Sequence, residues 1–409
     1  MKNIIFVISS LQESDSFFTF ASGLKDKNKN INIISIFDSP DFYKQLKKNK
    51  SLFNGFKKLG RVFFLKKKNI IFQKIYSFFW LVNIIFNILK LKKPVLFTGG
   101  NFHNIYRIGF QLICKIKKGK SLILMPHSFL WDYQYKEFRK RTNFESFKRN
   151  YFHKLLNLNI SGFVFYNNKQ LGYAKLLQRS LKFKAKQMCC SGLGSETNFY
   201  INFFDEEYKK YQTKLSFLKK NDRRKNFFSI ICASHGPFLL KQDSQQRILK
   251  EILTEIIKCD KNSIILIRMH PKDNNKNSSI LKIIEELKIK KNIIITNLHP
   301  QILARFSNRM IFYARTNVMT DIFRTKMIDC SEYKKEDLYK NNQKSPGNFG
   351  YGVIYLNPRK KNFKERFRKI LVNDNFFLNK KIYKEEKEFI KNNKFNYQKV
   401  EDFFKINIL

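Results

Sequence analysis

The sequence predicts two α/β domains, each built on a parallel sheet, facing one another across a cleft. Three observations carry this. Short runs rich in β-branched and aromatic residues alternate with helical stretches from the amino terminus onward. The alternation gives way to a strongly polar stretch from Asp205 to Lys225 and restarts at Phe227. A chain of 409 residues is long for one domain and suits two of ordinary size.

In the first half the candidate strands are Asn3–Ile8, Ile31–Phe37, Val62–Leu65, Val95–Thr98, Leu122–Met125 and Gly162–Tyr166. Helical stretches fall near Ser16–Lys25, Ile70–Lys90, Ile105–Lys117, Phe144–Leu156 and Gln170–Leu181. Such alternation buries a parallel sheet under helices on both faces. In the second half Phe227–Ala233, Ile264–Met269, Asn292–Thr296, Met310–Tyr313 and Tyr351–Leu356 read as strands. The helices between them are Ser244–Lys258 with Ser244 as cap, Ile280–Leu287, Pro300–Ser307 and Val318–Arg324. The chain is thus divided into a domain over 1–204, an interdomain segment 205–225, a domain over 226–370 and a lysine-rich helical tail over 371–409. These are two Rossmann-like parallel-sheet domains.

Hydrophobic residues make up 43% of the chain, enough for real cores, which excludes a disordered basic protein. The formal charge of +48 resembles a nucleic-acid signal. Lysine far outnumbers arginine, however, and Asn, Ile and Phe are inflated alongside it, as when base composition favours A/T-rich codons. No arginine-rich tract, zinc-finger spacing or RNP-like aromatic pattern accompanies the charge, so no specific nucleic-acid partner is expected. The charge still favours anionic membrane surfaces and polyanionic substrates. The six cysteines lack CxxC spacing and read as buried free thiols of a reducing cytosol. The opening Met1-Lys-Asn-Ile-Ile-Phe-Val-Ile8 is too short an apolar run for a secretory signal and reads as a first strand. Ile70 to Leu89 is apolar but broken by Gln73, Lys74, Asn83 and Asn87; it reads as a packed domain helix, with an interfacial helix helped by Lys66 to Lys68 as the alternative.

Chemistry is concentrated at strand ends. The run Ser263-Ile-Ile-Leu-Ile-Arg-Met-His-Pro-Lys-Asp273 carries a buried strand into His270 and Pro271. Proline has no ladder donor and biases its predecessor away from helix, so His270 is set at the strand's carboxyl end, the rim where open α/β sheets bind ligands. A structural histidine in a strand-end turn is the rival reading. Arg268, two residues earlier, is expected to be covered by a helix or paired structurally. Ser234, His235 and Gly236 follow another strand of the same sheet, and Gly236 permits close backbone approach. Thr316 and Asn317 occupy a strand-to-helix turn, either as anion-binding groups or as plain caps. In the first domain, Leu122-Ile-Leu-Met-Pro-His-Ser-Phe-Leu-Trp-Asp132 leads into His127, whose imidazole can be a neutral base; Asp132 is its rival. Gly99-Gly100 leaves room for a ligand or makes a tight turn. His103, His153 and His299 read as surface or helix-end residues. No HxxxH, DxD or carboxylate cluster points to a metal, and no cofactor is implied. GxGxxG and GxxxxGK[ST] are also missing, which counts against a dehydrogenase or P-loop enzyme; Ser191-Gly-Leu-Gly-Ser195 is a short glycine-rich turn.

At these residues the chain resembles bacterial GT-B glycosyltransferases of surface polysaccharide synthesis, in particular the sialyltransferase and polysialyltransferase group and the capsule-type Kdo transferases. His270-Pro271 matches their strand-end His-Pro motif, whose histidine contacts the phosphate of a CMP leaving group. The chain is also similar to CDP-glycerol glycerophosphotransferases, which pair that histidine with a second one after a strand in the first domain. Met125-Pro-His-Ser128 would take that place and departs from their Trp-His-Gly pattern. Those families carry a Ser-Ser or Ser-Thr pair at a later turn; Thr316 and Asn317 would stand in for it, with Ala314 replacing the preceding acid.

The resemblance implies a GT-B-like fold, with an acceptor-side domain over 1–204 and a nucleotide-donor domain over 226–370. It implies a metal-independent transferase moving a sugar, expected to be a CMP-linked acid sugar, onto a hydroxyl of a surface glycan. His127 or Asp132 would be the base. His270, Pro271, Thr316 and Asn317 would hold the nucleotide phosphate, and Ser234, His235 and Gly236 would line the nucleotide. The expected partners are a CMP or CDP donor, a glycan or lipid-linked acceptor and an anionic membrane surface, in the cytoplasm or at the inner face of the cell membrane. A CDP-glycerol-type phosphotransferase and a non-enzymatic basic module binding nucleic acid or membrane are the alternatives. A sugar-nucleotide epimerase of the same fold would require paired carboxylates, and the sequence shows no pattern for them.

Overall fold

The structure, a computed structural model, describes residues 3–66, 69–99, 105–125, 156, 158, 160–166, 187–214, 226–232, 242–269, 279–313, 322, 325–332, 353–378, 384, 387–388 and 390–408. The chain divides into two compact units, Met1–Phe203 with Asn393–Leu409, and Phe204–Asn392.

The first unit holds a seven-stranded sheet of β1 (Asn3–Ile8), β2 (Asn32–Phe37), β3 (Arg61–Phe64), β4 (Val95–Thr98), β5 (Lys120–Leu124), β6 (Ile160–Phe165) and β7 (Met188–Cys190). Their order is β3-β2-β1-β4-β5-β6-β7, and every pair is parallel. Parallel neighbours require crossovers. Among the described residues these include α1 (Leu11–Lys27), α2 (Pro40–Lys48), α3 (Lys50–Leu59), α4 (Ile70–Leu89) and α5 (Ile105–Ile116). The first helix starts five residues before the Ser16 that the sequence predicts, and α2 and α3 are additional to the predicted elements. The local signals are nevertheless present. Ser10 caps α1 by accepting from the Glu13 amide, and Ser39 caps α2 just ahead of Pro40 in the first turn.

Period-two alternation splits the core between the two faces of this sheet. Ile5, Val7, Ile34, Ile36 and Leu96 pack under Trp80, Ile84 and Ile88 of α4 and Phe110 and Cys114 of α5. On the other face Phe6 meets Phe17 at 5.3 Å and Phe97 at 5.4 Å, and Phe20 meets Phe97 at 5.2 Å.

The second unit holds a six-stranded sheet of β8 (Phe227–Ile231), β9 (Ile264–Arg268), β10 (Ile293–Thr296), β11 (Arg309–Phe312), β12 (Met327–Asp329) and β13 (Val353–Tyr355). The order is β10-β9-β8-β11-β12-β13, again parallel throughout. Both sheets therefore use the 3-2-1-4-5-6 winding, extended by one strand in the first unit. The short β7 and β12 escaped sequence reading because three residues carry too little periodicity.

Among the described residues the further α-helices are α6 (Asn198–Lys214), α7 (Gln242–Cys259), α8 (Ser279–Glu286), α9 (Pro300–Phe306), α10 (Phe363–Val372) and α11 (Tyr397–Ile408). Ser244, expected to cap its helix, lies within α7 instead. The division between units falls inside α6, so the first half of the segment read as a polar crossing is helix. The segment 371–409, set apart in the sequence as a tail, is shared between the units. Residues up to Asn392 belong to the second, while Asn393–Leu409 return to the first. Val400, Phe403 and Phe404 are buried there, with Phe404 at 6.0 Å from Phe97. The returning chain meets the glycine-rich turn through a bridge between Leu193 and Lys394. Gly192 has φ +76, and a Cβ there would collide with the Lys394 carbonyl. Gly192→Ala should therefore destabilise the first unit by about 1–3 kcal/mol. Urea unfolding followed by tryptophan fluorescence measures this, and an unchanged midpoint would show that the turn can open without cost.

Candidate functional site

In a doubly wound sheet, strands on either side of the reversal point send their following loops apart and leave a crevice at their carboxyl ends. The first sheet reverses between β1 and β4, the second between β8 and β11.

At the first reversal the loops are tied together by one buried arginine. β1 runs into Ser9 and the capped start of α1, β2 into Asp38, and β4 into Gly99. Arg107 of α5 donates from Nε to Asp38 Oδ2 at 3.1 Å, and from Nη2 to Ser9 Oγ at 2.9 Å and Glu13 Oε2 at 3.0 Å. Glu13 also accepts from the Ser9 amide at 2.8 Å, and a Cβ on Gly99 would collide with its carboxylate. The side chains of Arg107 and Asp38 are fully buried. Arg107 Nη1 and Asp38 Oδ1 have no hydrogen-bond partner. Burial opposes the charge of the guanidinium, but Glu13 and Asp38 outweigh it and raise its pKa. Burial also pushes the Asp38 carboxyl above the ordinary carboxylate range, against the pull of Arg107 and with the help of Glu13. Both carboxylates are thus engaged by the same cation, and neither is disposed as a free base. Gly99 serves this clamp.

At the second reversal the described strand ends are Cys232, Arg268, Tyr313 and Asp329. Arg268 donates to the Leu298 carbonyl at 3.0 Å, the structural pairing expected of it. Asp329 is buried and accepts from the Ser331 amide at 2.9 Å. Glu332 is held between Arg247 and Arg359 at 3.1 and 2.9 Å. His299 caps α9, accepting on Nδ1 from the Gln301 amide, and stacks on Phe204 at 4.5 Å. It is a helix-end residue.

His127, Asp132, Ser234, His235, Gly236, His270, Pro271, Thr316 and Asn317 all lie outside the described residues. What the described part defines is where their segments begin. Residues 126–150 follow β5, 233–241 follow β8, 270–278 follow β9 and 314–321 follow β11. Among the described residues no three His, Cys, Asp or Glu converge as a metal site. All six cysteines are free, with Cys114, Cys189, Cys232 and Cys330 buried; burial pushes the thiols of Cys114 and Cys189 up to about 12. A polar cavity of about 300 Å³ lies at the other end of the second sheet, under the amino ends of β8 and β11. Its polar groups bond among themselves: Arg309 pairs with Asp374, and Asn226 donates to Asp260. That is a structural lining.

No protein-family model matches the sequence, and no curated protein matches it. Solved structures do. The S. aureus MnaA–UDP structure aligns with a TM-score of 0.55 at 11% identity, over 100% of this chain and 98% of the other. The chain folds as a GT-B protein. The Neisseria meningitidis UDP-GlcNAc 2-epimerase bound to UDP-GlcNAc aligns at 0.54 and 12% identity, over 96% and 99%. Anabaena HepE in complex with UDP and glucose gives 0.53 and 10%, over 99% and 100%. At this identity the likeness establishes the two Rossmann-like domains of the GT-B plan and nothing finer.

The Glu13–Arg107–Asp38 clamp is not among the residues that the sequence singles out. The box Ser10-Leu-Gln-Glu13 was its one local signal. The clamp generates a pH prediction. A group whose folded pKa is raised contributes stability that is present below its unfolded pKa and lost as pH rises through the folded one. Wild type should therefore lose Asp38's contribution as pH climbs from about 4 towards neutrality. Asp38→Asn should lose none, so its stability relative to wild type should improve over that window. Urea unfolding at several pH values reads this; a variant that falls further behind wild type as pH rises would mean that ionised Asp38 is net stabilising.

Proposed function

We propose that the chain is a glycosyltransferase that takes a sugar from a pyrimidine nucleotide and places it on a hydroxyl of a surface glycan, without a metal. One observation carries the reading. Strands β9, β8 and β11 are neighbours in the second sheet and flank its reversal point. Their continuations in the chain hold His270-Pro271, Ser234-His235-Gly236 and Thr316-Asn317. Three separated segments with phosphate-binding chemistry thus leave one edge of one sheet, the edge at which this winding binds nucleotides.

In this reading the acceptor hydroxyl attacks the anomeric carbon, and the bond from that carbon to the phosphate oxygen breaks. His127 or Asp132, after β5, takes the hydroxyl proton. The charge left on the departing nucleotide is met by His270, Thr316 and Asn317, a role that protein donors fill where no metal does. The neighbouring MnaA and HepE structures hold UDP, and the epimerase holds UDP-GlcNAc. They support a UDP-sugar, whereas the His-Pro resemblance supports CMP. The shared chemistry is a pyrimidine nucleotide.

An epimerase is the second reading, favoured by the likeness to the N. meningitidis enzyme. It needs two free carboxylates, and the pair found at the first reversal is neutralised on Arg107. An epimerase would also convert UDP-GlcNAc with no acceptor present.

Thermal-shift measurements against CMP, CDP, UDP and GDP test the proposal, since a ligand of the folded state raises stability with its concentration over Kd. CMP, CDP or UDP should stabilise the protein, GDP much less, and EDTA should change neither binding nor transfer. His270→Ala should weaken nucleotide binding by about 10- to 100-fold, the loss of one charge-assisted hydrogen bond, while keeping the fold. No shift with any nucleotide, or a silent His270→Ala, would refute it.

A further inference from the structure

We propose that the outer face of α4 and α5 in the first unit docks the protein onto an anionic lipid bilayer, lying in the interface rather than crossing it.

The helix α4 is amphipathic in the wrong sense for a soluble surface. Phe72, Ile75, Phe79, Val82, Phe86 and Leu89 recur at three- and four-residue spacing and form one stripe. Phe72, Ile75, Phe78, Phe79 and Phe86 are each more than half exposed. Gln73, Ser77 and Asn87 are half-buried beside the domain, while Lys74 and Asn83 are exposed. Gln73 donates to the Lys66 carbonyl and to Ser77, and Asn87 accepts from Arg61 and donates to Asn83. On α5, packed beside α4 on the same sheet face, Leu112 and Ile116 are exposed as well. A contiguous apolar patch of this kind is rare on a soluble monomer and marks a contact surface.

Length and composition would let Phe72–Leu89 cross a membrane. Packing rules that out here, because Trp80, Ile84 and Ile88 on the inner side are core residues of the sheet. Half of the helix is committed to the domain and half is left for another apolar phase. This is the geometry of an interfacial helix.

Charge selects the occupant. Between Asp41 and Asp132 the chain has no acidic residue, against 19 lysines and arginines. Lys66, Lys74, Lys90, Lys92 and Lys93 of α4 and its flanks, and Lys115 and Lys118 at the end of α5, are exposed around the patch. A second copy of the chain would bring two such rims together and repel. An anionic headgroup layer meets the lysines while the acyl boundary takes the phenylalanines.

Vesicle flotation tests this, with phosphatidylcholine vesicles and with vesicles of mixed phosphatidylcholine and phosphatidylglycerol. Wild type should float with the mixed vesicles, at least about tenfold better than with phosphatidylcholine alone, and less well at high salt. The triple variant Phe72→Ser, Phe79→Ser, Phe86→Ser should lose about tenfold or more of that binding even at low salt, since each buried aromatic is a large part of the affinity. Its melting temperature and its response to nucleotides should match wild type, which separates failure here from failure of the nucleotide reading. Wild type that ignores anionic vesicles would overturn the proposal, as would a triple variant that floats equally well. A concentration-dependent dimer abolished by the triple variant, with no vesicle binding, would assign the face to a second copy instead.

Discussion

Every strand paired in the two sheets runs parallel to its neighbours, and the rest of the molecule answers to that constraint. A parallel ladder cannot be closed by a tight turn, so each strand must be followed by a crossover that returns over one face. Both faces are then covered, and the strands become the near-continuous apolar runs seen in β1, β2, β4, β8 and β9. Covered faces leave the strand ends as the place where polar groups can gather. The winding reverses between β1 and β4, and again between β8 and β11, the places at which sheets of this winding bind ligands.

The two reversal points are built differently. In the first unit a buried guanidinium joins the loops after β1 and β2 and the helix α5, with Gly99 closing against the same carboxylate. Two charges of one sign on one of the other, out of water, would be costly if any partner were lost, because the remainder would stay buried and unpaired. The arrangement holds loop positions rather than offering reactive groups. In the second unit the described polar residues at the strand ends are also spent on internal contacts: Arg268 on a carbonyl, Asp329 on an amide, Glu332 between two arginines. The proposed nucleotide chemistry therefore falls to the segments that continue β8, β9 and β11.

Much of the fold was legible because long β-branched runs alternate with helical periods. Asn3–Ile8 and Val95–Thr98 were read with their observed limits, and most other strands within two residues. The winding order was not legible, since pairing between β1 and β4 or β8 and β11 leaves no trace in local sequence. Nor was the return of Asn393–Leu409 to the first unit, which depends on Phe404 finding Phe97 across three hundred residues of chain. The polarity of α4 was legible in part. Gln73, Asn83 and Asn87 could be seen to break its apolar run, yet only packing shows that Gln73 and Asn87 are half-buried beside the domain while Asn83 is exposed. Of the candidate site, the strand ends could be read from the sequence. The Arg107 clamp could not, because its members are scattered over a hundred residues and share no motif beyond one capping box.

Hydrogen–deuterium exchange with and without UDP or CMP tests the central claim most directly, that a nucleotide sits at the reversal of the second sheet. Bound nucleotide should slow exchange in peptides covering 233–241, 270–278 and 314–321 together, and leave the cavity edge at Asn226, Asp260 and Arg309 unchanged. Protection confined to that opposite edge, or spread over the first unit with none of the three segments affected, would contradict it.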